Sequence, residues 1–75
     1  MKTFIKDIKA ATSKEQLSNI TYAALKSNIS SKQYDKVIAY AVCREIELGI
    51  WEHLHAYPNK EAALKEAQKA YKIKY

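Results

Sequence analysis

SSKQYDKVIAYAVCREIELGIWEHLHAY, residues 30–57, is the stretch whose reading decides the fold. On a helix, residues three and four apart share a face. Ala39, Cys43, Ile46, Ile50, Leu54 and Tyr57 advance by four, three, four, four and three, and so form one unbroken apolar stripe. Tyr34, Val37, Ile38, Ala41 and Leu48 form a second stripe, roughly opposite at about 100° per residue. A surface helix needs only one such stripe. Two stripes describe either a central helix clamped between neighbours, or a helix with one packed face and one face offered to a partner. The expected fold is all-α: a compact bundle of three to four helices around one long central helix, in a single domain spanning residues 1–75.

Local chemistry marks both ends of this stretch. Ser30 and Gln33 fit a capping box, in which each side chain satisfies the other's backbone N–H, and Ile29 with Tyr34 fits a hydrophobic staple. Pro58 cannot continue a helix and biases Tyr57 toward extended geometry. Gly49 inside the stretch costs about 1 kcal/mol relative to Ala in a helix. It marks a kink, a close helix approach, or simply a tolerated glycine.

Working outward, a first helix is expected from Thr3 to Ala10 or Ala11, with Phe4, Ile5 and Ile8 inward and Lys2, Lys6 and Lys9 outward. Thr12 with Glu15, or Ser13 with Gln16, caps a second helix running to about Ser27. Leu17, Ile20, Ala24 and Leu25 form its inner face, and Asn28 suits a left-handed helix end. Asn59 caps a fourth helix from Lys60 to about Ile73. There Leu64, Ala67, Tyr71 and Tyr75 are expected inside and Lys65, Lys69 and Lys72 outside. The closing YKIKY alternates, but it is too short and terminal to read as a strand.

A 75-residue chain buries only about 60% of its unfolded surface, so oligomerisation or partner binding is a common remedy at this size. The single cysteine, Cys43, excludes an internal disulfide and points to a reducing, cytoplasmic setting. The opening MKTFIKDIKAATSKEQ lacks the continuous apolar core of a signal peptide, and no run approaches a membrane span. Net charge is +5. It is carried by the flanks, since residues 1–29 and 58–75 are each +3 while residues 30–57 are −1. That balance admits an acidic protein or a nucleic acid as partner. Arg44 is the only arginine, whereas surfaces that read phosphates or bases usually carry more.

No enzyme motif is present, and no cofactor or metal is expected. His53 and His55 are two residues apart, which separates their imidazoles on a helix; paired helical zinc ligands need a spacing of four. Glu45 falls on the first stripe with Glu52 two turns on, either where the stripe fans out to solvent or as an acidic notch beside Arg44 and Glu47. Trp51 lies between the stripes as core filler or, if exposed, as an interface anchor. The candidate partner-binding residues are therefore Arg44, Glu47, Ile50, Trp51, Leu54 and His55. A helix-turn-helix is disfavoured, because the helix after the Ser27–Ser31 junction is too long and apolar on two sides to lie in a DNA groove. Lys32 and Lys36 beyond that junction, with Lys65, Lys69 and Lys72, nevertheless form the alternative nucleic-acid set.

Two resemblances follow from these residues. FIKDIKAATSKEQLSNI and QYDKVIAYAVCREIEL, covering residues 4–48, resemble the small helical proteins encoded by phages and mobile elements of Gram-positive bacteria. Members of that group often bind one host protein or a nucleic acid. Ala41, Arg44, Glu47, Leu48 and Pro58 are similar to a motif of the Hha/YmoA family of small helical regulators, which associate with nucleoid proteins of the H-NS type. Val42-Cys43 stands where that family has an Asp-His pair, and the acidic residue is tied to partner binding there. The resulting expectation is a non-enzymatic regulator that binds a host protein or a second copy of itself through the Arg44–Tyr57 end. The alternative is a basic helical module that binds DNA or RNA.

Overall fold

The computed structural model describes residues 2–75, with side chains from Phe4 onward; the outward side expected for Lys2 lies outside the described side chains. Four α-helices follow one another: α1 Lys2–Ala10, α2 Lys14–Lys26, α3 Ser31–Leu48 and α4 Lys60–Tyr71. A single 3-10 turn, Leu54–Ala56, lies between α3 and α4, and no strand occurs among the described residues.

The all-α bundle is organised around α3, and both of its stripes are used. Val37 and Ala41 face α1 and α2, closing a first core with Ile8, Ala11, Leu17 and Ala24. Cys43 and Ile46 face the other way and close a second core with Ala63 and Ala67 of α4. Two alanines at the α4 contact let its backbone come close to α3, so a 12-residue helix seals that side. The central helix is thus clamped between neighbours.

The capping box at Ser30 and Gln33 is formed in both directions, each bond 3.2 Å. Ile29 and Tyr34 both pack against the first core, as the staple requires. Asn59 caps α4 by accepting the Ala62 N–H at 2.8 Å. For α2 the cap is Ser13, whose hydroxyl accepts from Gln16 N at 3.2 Å, and Gln16 returns to Thr12 N at 2.7 Å. The chain leaves α2 through Ser27 in extended geometry, and Asn28 is not left-handed.

The main departure lies at Gly49. The expected helix through Tyr57 stops at Leu48, because Gly49 turns left-handed at φ 75° and ψ 20°. Gly49 N donates to Ile46 O and Ile50 N to Glu45 O, both at 3.0 Å. That pair of bonds is the Schellman arrangement that ends a helix. Lys60, opening α4, extends its ammonium to the Glu47 carbonyl at 3.4 Å, a cation at the negative end of α3. The chain then bends through the 3-10 turn, and α4 runs back antiparallel to α3. Trp51, Leu54 and Tyr57 still pack on the second core. They reach it from a turn rather than along a helix, which is why the unbroken spacing extended past the true end.

The same arrangement ends α4 with less favourable chemistry. Lys72 is left-handed at φ 55°, with Lys72 N bonded to Lys69 O at 3.3 Å and Ile73 N to Gln68 O at 3.0 Å. Ile73 and Tyr75 turn onto the second core, while Tyr71, expected inside, is 46% exposed. Leu25 of α2 is also turned to solvent, at 59%.

The two left-handed sites predict opposite mutational signs. Gly49→Ala should destabilise the fold by about 1–2 kcal/mol, since a side chain disfavours that conformation; its Cβ would also come within 3.2 Å of the flexible Lys60 tip. Lys72→Gly should stabilise by about 0.5–1 kcal/mol, part of the relief being offset by a freer unfolded chain. Urea unfolding of both variants beside the parent checks the pair.

Candidate functional site

Of the six residues expected at the Arg44–Tyr57 end, Arg44, Trp51 and Leu54 are half-buried, while Glu47, Ile50 and His55 are exposed. Arg44 is half-buried; its Nε donates to the Ala11 carbonyl at 2.8 Å and its Nη1 to Glu47 Oε1 at 3.1 Å. The first bond ties α3 to the α1–α2 junction. Glu47 Oε1 also accepts from the Tyr75 hydroxyl. Burial, reinforced by the Glu47 carboxylate, pushes the Tyr75 phenol well above its ordinary pKa, so it remains a donor. Tyr75 is further held by Gln68 Oε1, which accepts from its N–H at 3.0 Å. The Tyr40 hydroxyl donates to Lys74 O at 3.0 Å. Lys9 Nζ sits 5.6 Å from the rings of both Tyr40 and Tyr75, within cation–π range.

Trp51 stacks on Tyr57 with centroids 5.8 Å apart and meets the edge of His53 at 5.5 Å. Trp51 and Leu54 are half-buried against the second core. Ile50 is 38% exposed, and His55 is exposed with Nδ1 3.1 Å from the Glu52 carbonyl. Arg44 therefore turns to the α1–α2 junction while Trp51 and Leu54 turn to the α4 side. Cys43 is fully buried, and burial first, the Glu47 charge second, raises its thiol pKa to about 11. Glu45 is half-buried at the edge of the stripe. Burial raises its pKa, with Glu52 adding to the effect and Lys14 opposing it.

The alternative set behaves differently. Lys32 and Lys36 from the first turns of α3 and Lys72 from the end of α4 line one open groove of about 770 Å³. They converge because α4 runs antiparallel to α3, which sets its C-terminus against the N-terminus of α3. Ser30, Gln33, Asp35, Tyr71 and Ile73 complete the lining, so three lysines face one aspartate. Lys65 and Lys69 are exposed outside the groove, two turns and one turn upstream of Lys72 on α4. The capping box engages the N–H groups of Ser30 and Gln33, and those of Ser31 and Lys32 between them have no acceptor within the helix.

Sequence reasoning missed Tyr71, Asp35 and Ile73 as members of this groove. Tyr71 lies four residues beyond the buried Ala67, and its spacing points inward. The α3 segment at that level, however, is Lys32, Gln33 and Lys36, which offers a tyrosine no apolar counterpart. That mismatch is visible in the sequence once α4 is known to return antiparallel.

Among the described residues, no three His, Cys, Asp or Glu side chains are grouped to hold a metal ion, and no helix is long and apolar enough to cross a membrane. No protein-family model, curated protein or solved structure matches the chain.

Two measurements check this geography. Ile46 is fully buried and Ile50 is not. Ile46→Glu should therefore abolish folding through an unpaired buried charge, while Ile50→Glu should change stability by no more than about 0.5 kcal/mol, by circular dichroism melts. Glu45 supplies a pH test. Its folded pKa lies above its ordinary value, so the folded state holds the proton more tightly than the unfolded chain. Stability from this group is full at low pH and falls as pH rises through the carboxylate range. Glu45→Gln should accordingly melt higher than the parent at pH 7, with the gap closing as the pH is lowered through that range.

Proposed function

We propose that this protein is a small, non-enzymatic nucleic-acid-binding protein whose working surface is the groove between the start of α3 and the end of α4. The observation that carries the reading is the convergence of Lys32, Lys36 and Lys72, from elements far apart in sequence, on one concave site. Lysines scattered on a solvated face keep apart, and opposed lysines lining one concavity repel each other unless an anion lies between them. Lys65 and Lys69 continue the positive row along α4. The overall charge of +5 acts in the same direction by drawing a polyanion toward the surface. Lysine-only contacts suit this role, because they neutralise phosphates without reading bases through a planar fork.

A protein partner is the second reading, favoured by the large apolar side chains left in solvent. Tyr22 and Leu25 on α2 are 60% and 59% exposed, beside a shallow depression that Ala24, Ile29 and Tyr34 line. Ile50, just past the opposite end of α3, offers a smaller apolar spot. A host protein or a second copy of this chain would dock through such residues. Both surfaces are compatible with a regulator of the phage or mobile-element kind.

Combined Lys32→Gln, Lys36→Gln and Lys72→Gln should remove most of the affinity for a labelled oligonucleotide in fluorescence anisotropy. The charge-matched change of Lys6, Lys14 and Lys26, none of which lines the groove, should remove far less. Three phosphate contacts also predict that parent binding weakens by roughly 20-fold between 50 and 200 mM salt, with the groove variant nearly flat. Equal losses in the two triple variants would show that only net charge matters and would refute the groove.

A further inference from the structure

We infer that the groove takes a single strand, with one base stacked on Tyr71, rather than the outer face of a duplex; this rests on the nucleic-acid reading above. The first reason is shape. Lys32 and Lys36 stand on one wall and Lys72 on the other, so the positive charge is directed into a concavity. Phosphates on the outside of a duplex meet convex or flat surfaces and inserted helices. The long helix beside the groove cannot be laid into a duplex, because α3 is buried on both of its apolar faces.

The second reason is Tyr71. It is nearly half exposed, it lines the groove beside Lys72, and it is an apolar ring left among ammonium groups. Aromatic rings in basic grooves are stacking platforms for unpaired bases, and every base has a face to offer them. Ile73, half-buried next to the ring, extends the apolar floor. Gln33 and Ser30 supply polar groups at the base edges, and Asp35 is an acceptor for an exocyclic amino group. Asp35 repels a phosphate beside it, so the backbone follows the Lys32, Lys36 and Lys72 side and the base the remainder. The α4 row then guides the exiting strand: Lys65 to Lys72 is seven residues, about 10 Å of helix rise.

The test is a fluorescence anisotropy comparison using the full chain at 50 mM salt. The probes are a mixed-sequence 12-nucleotide single strand, the blunt duplex of the same sequence, and polyglutamate of similar charge as a competitor. The single strand should bind at least tenfold more tightly than the duplex, with polyglutamate competing weakly. Tyr71→Phe keeps the ring and should retain affinity, whereas Tyr71→Leu keeps an apolar contact without a stacking face and should lose about tenfold or more, with unchanged circular dichroism. Duplex binding equal to or tighter than single-strand binding would overturn the single-strand inference and leave the nucleic-acid reading standing. Unchanged affinity in Tyr71→Leu would overturn the stacking role. Absence of binding to either nucleic acid would overturn both the inference and the reading it rests on; tight polyglutamate binding in that case would give the groove to an acidic protein.

Discussion

A left-handed turn at Gly49 sets the dimensions of this molecule. It stops α3 at 18 residues, and the two hydrogen bonds that accompany it close the helix end within the chain itself. Everything after it depends on that length. Had α3 continued to Tyr57, it would extend about 13 Å further, and the returning α4, of about 18 Å, would end opposite the middle of α3. Stopping at Leu48 lets the 12 residues of α4 reach back to the first turns of α3. The groove exists because α4, shorter than α3 but starting level with its end, brings Tyr71 and Lys72 beside the first turns of α3.

The same turn explains how one helix serves two cores. A 75-residue chain has too little surface to build a large single core, and α3 supplies a wall to each of two small ones. Small residues make this workable. Ala39, Ala41, Ala63 and Ala67 are buried, so helices approach closely and short side chains suffice to fill the gaps. The polar links act at the joints. Arg44 fastens α3 to the α1–α2 corner, and Glu47 receives both Arg44 and the terminal Tyr75. The C-terminal segment is therefore part of the fold, and by holding Ile73 and Tyr75 in place it also holds Lys72 and Tyr71 at the groove.

Much of this was legible from the residues, and the exceptions share a cause. Caps written in local chemistry were readable: Ser30 with Gln33 and Asn59 form as their side chains require, while α2 is capped by Ser13 instead of Thr12 with Glu15, and Gln16 accepts from the Thr12 N–H. The double stripe of α3 was readable because burial on two faces leaves a periodic trace. Gly49 was not, because Leu54 and Tyr57 pack on the second core from a turn and keep a helix-like spacing by doing so. The available signal was a glycine followed by an apolar residue, the usual sequence of a Schellman end. Lys72 carried no comparable signal, since lysine has no preference for the left-handed region. The groove joins residues about forty positions apart, so it emerges only when the antiparallel return of α4 is known.

Amide hydrogen exchange along residues 34–57 tests this account most directly. A helix shared by two cores and ended at Gly49 predicts that the amides of Val37 to Glu47 open only with the whole molecule. Those of Glu52 and His53, outside the helix and exposed, should exchange orders of magnitude faster. Uniformly slow exchange running through Gly49 to Tyr57 would mean a continuous long helix. It would contradict the helix end at Gly49 on which the fold, the groove and the proposed function all depend.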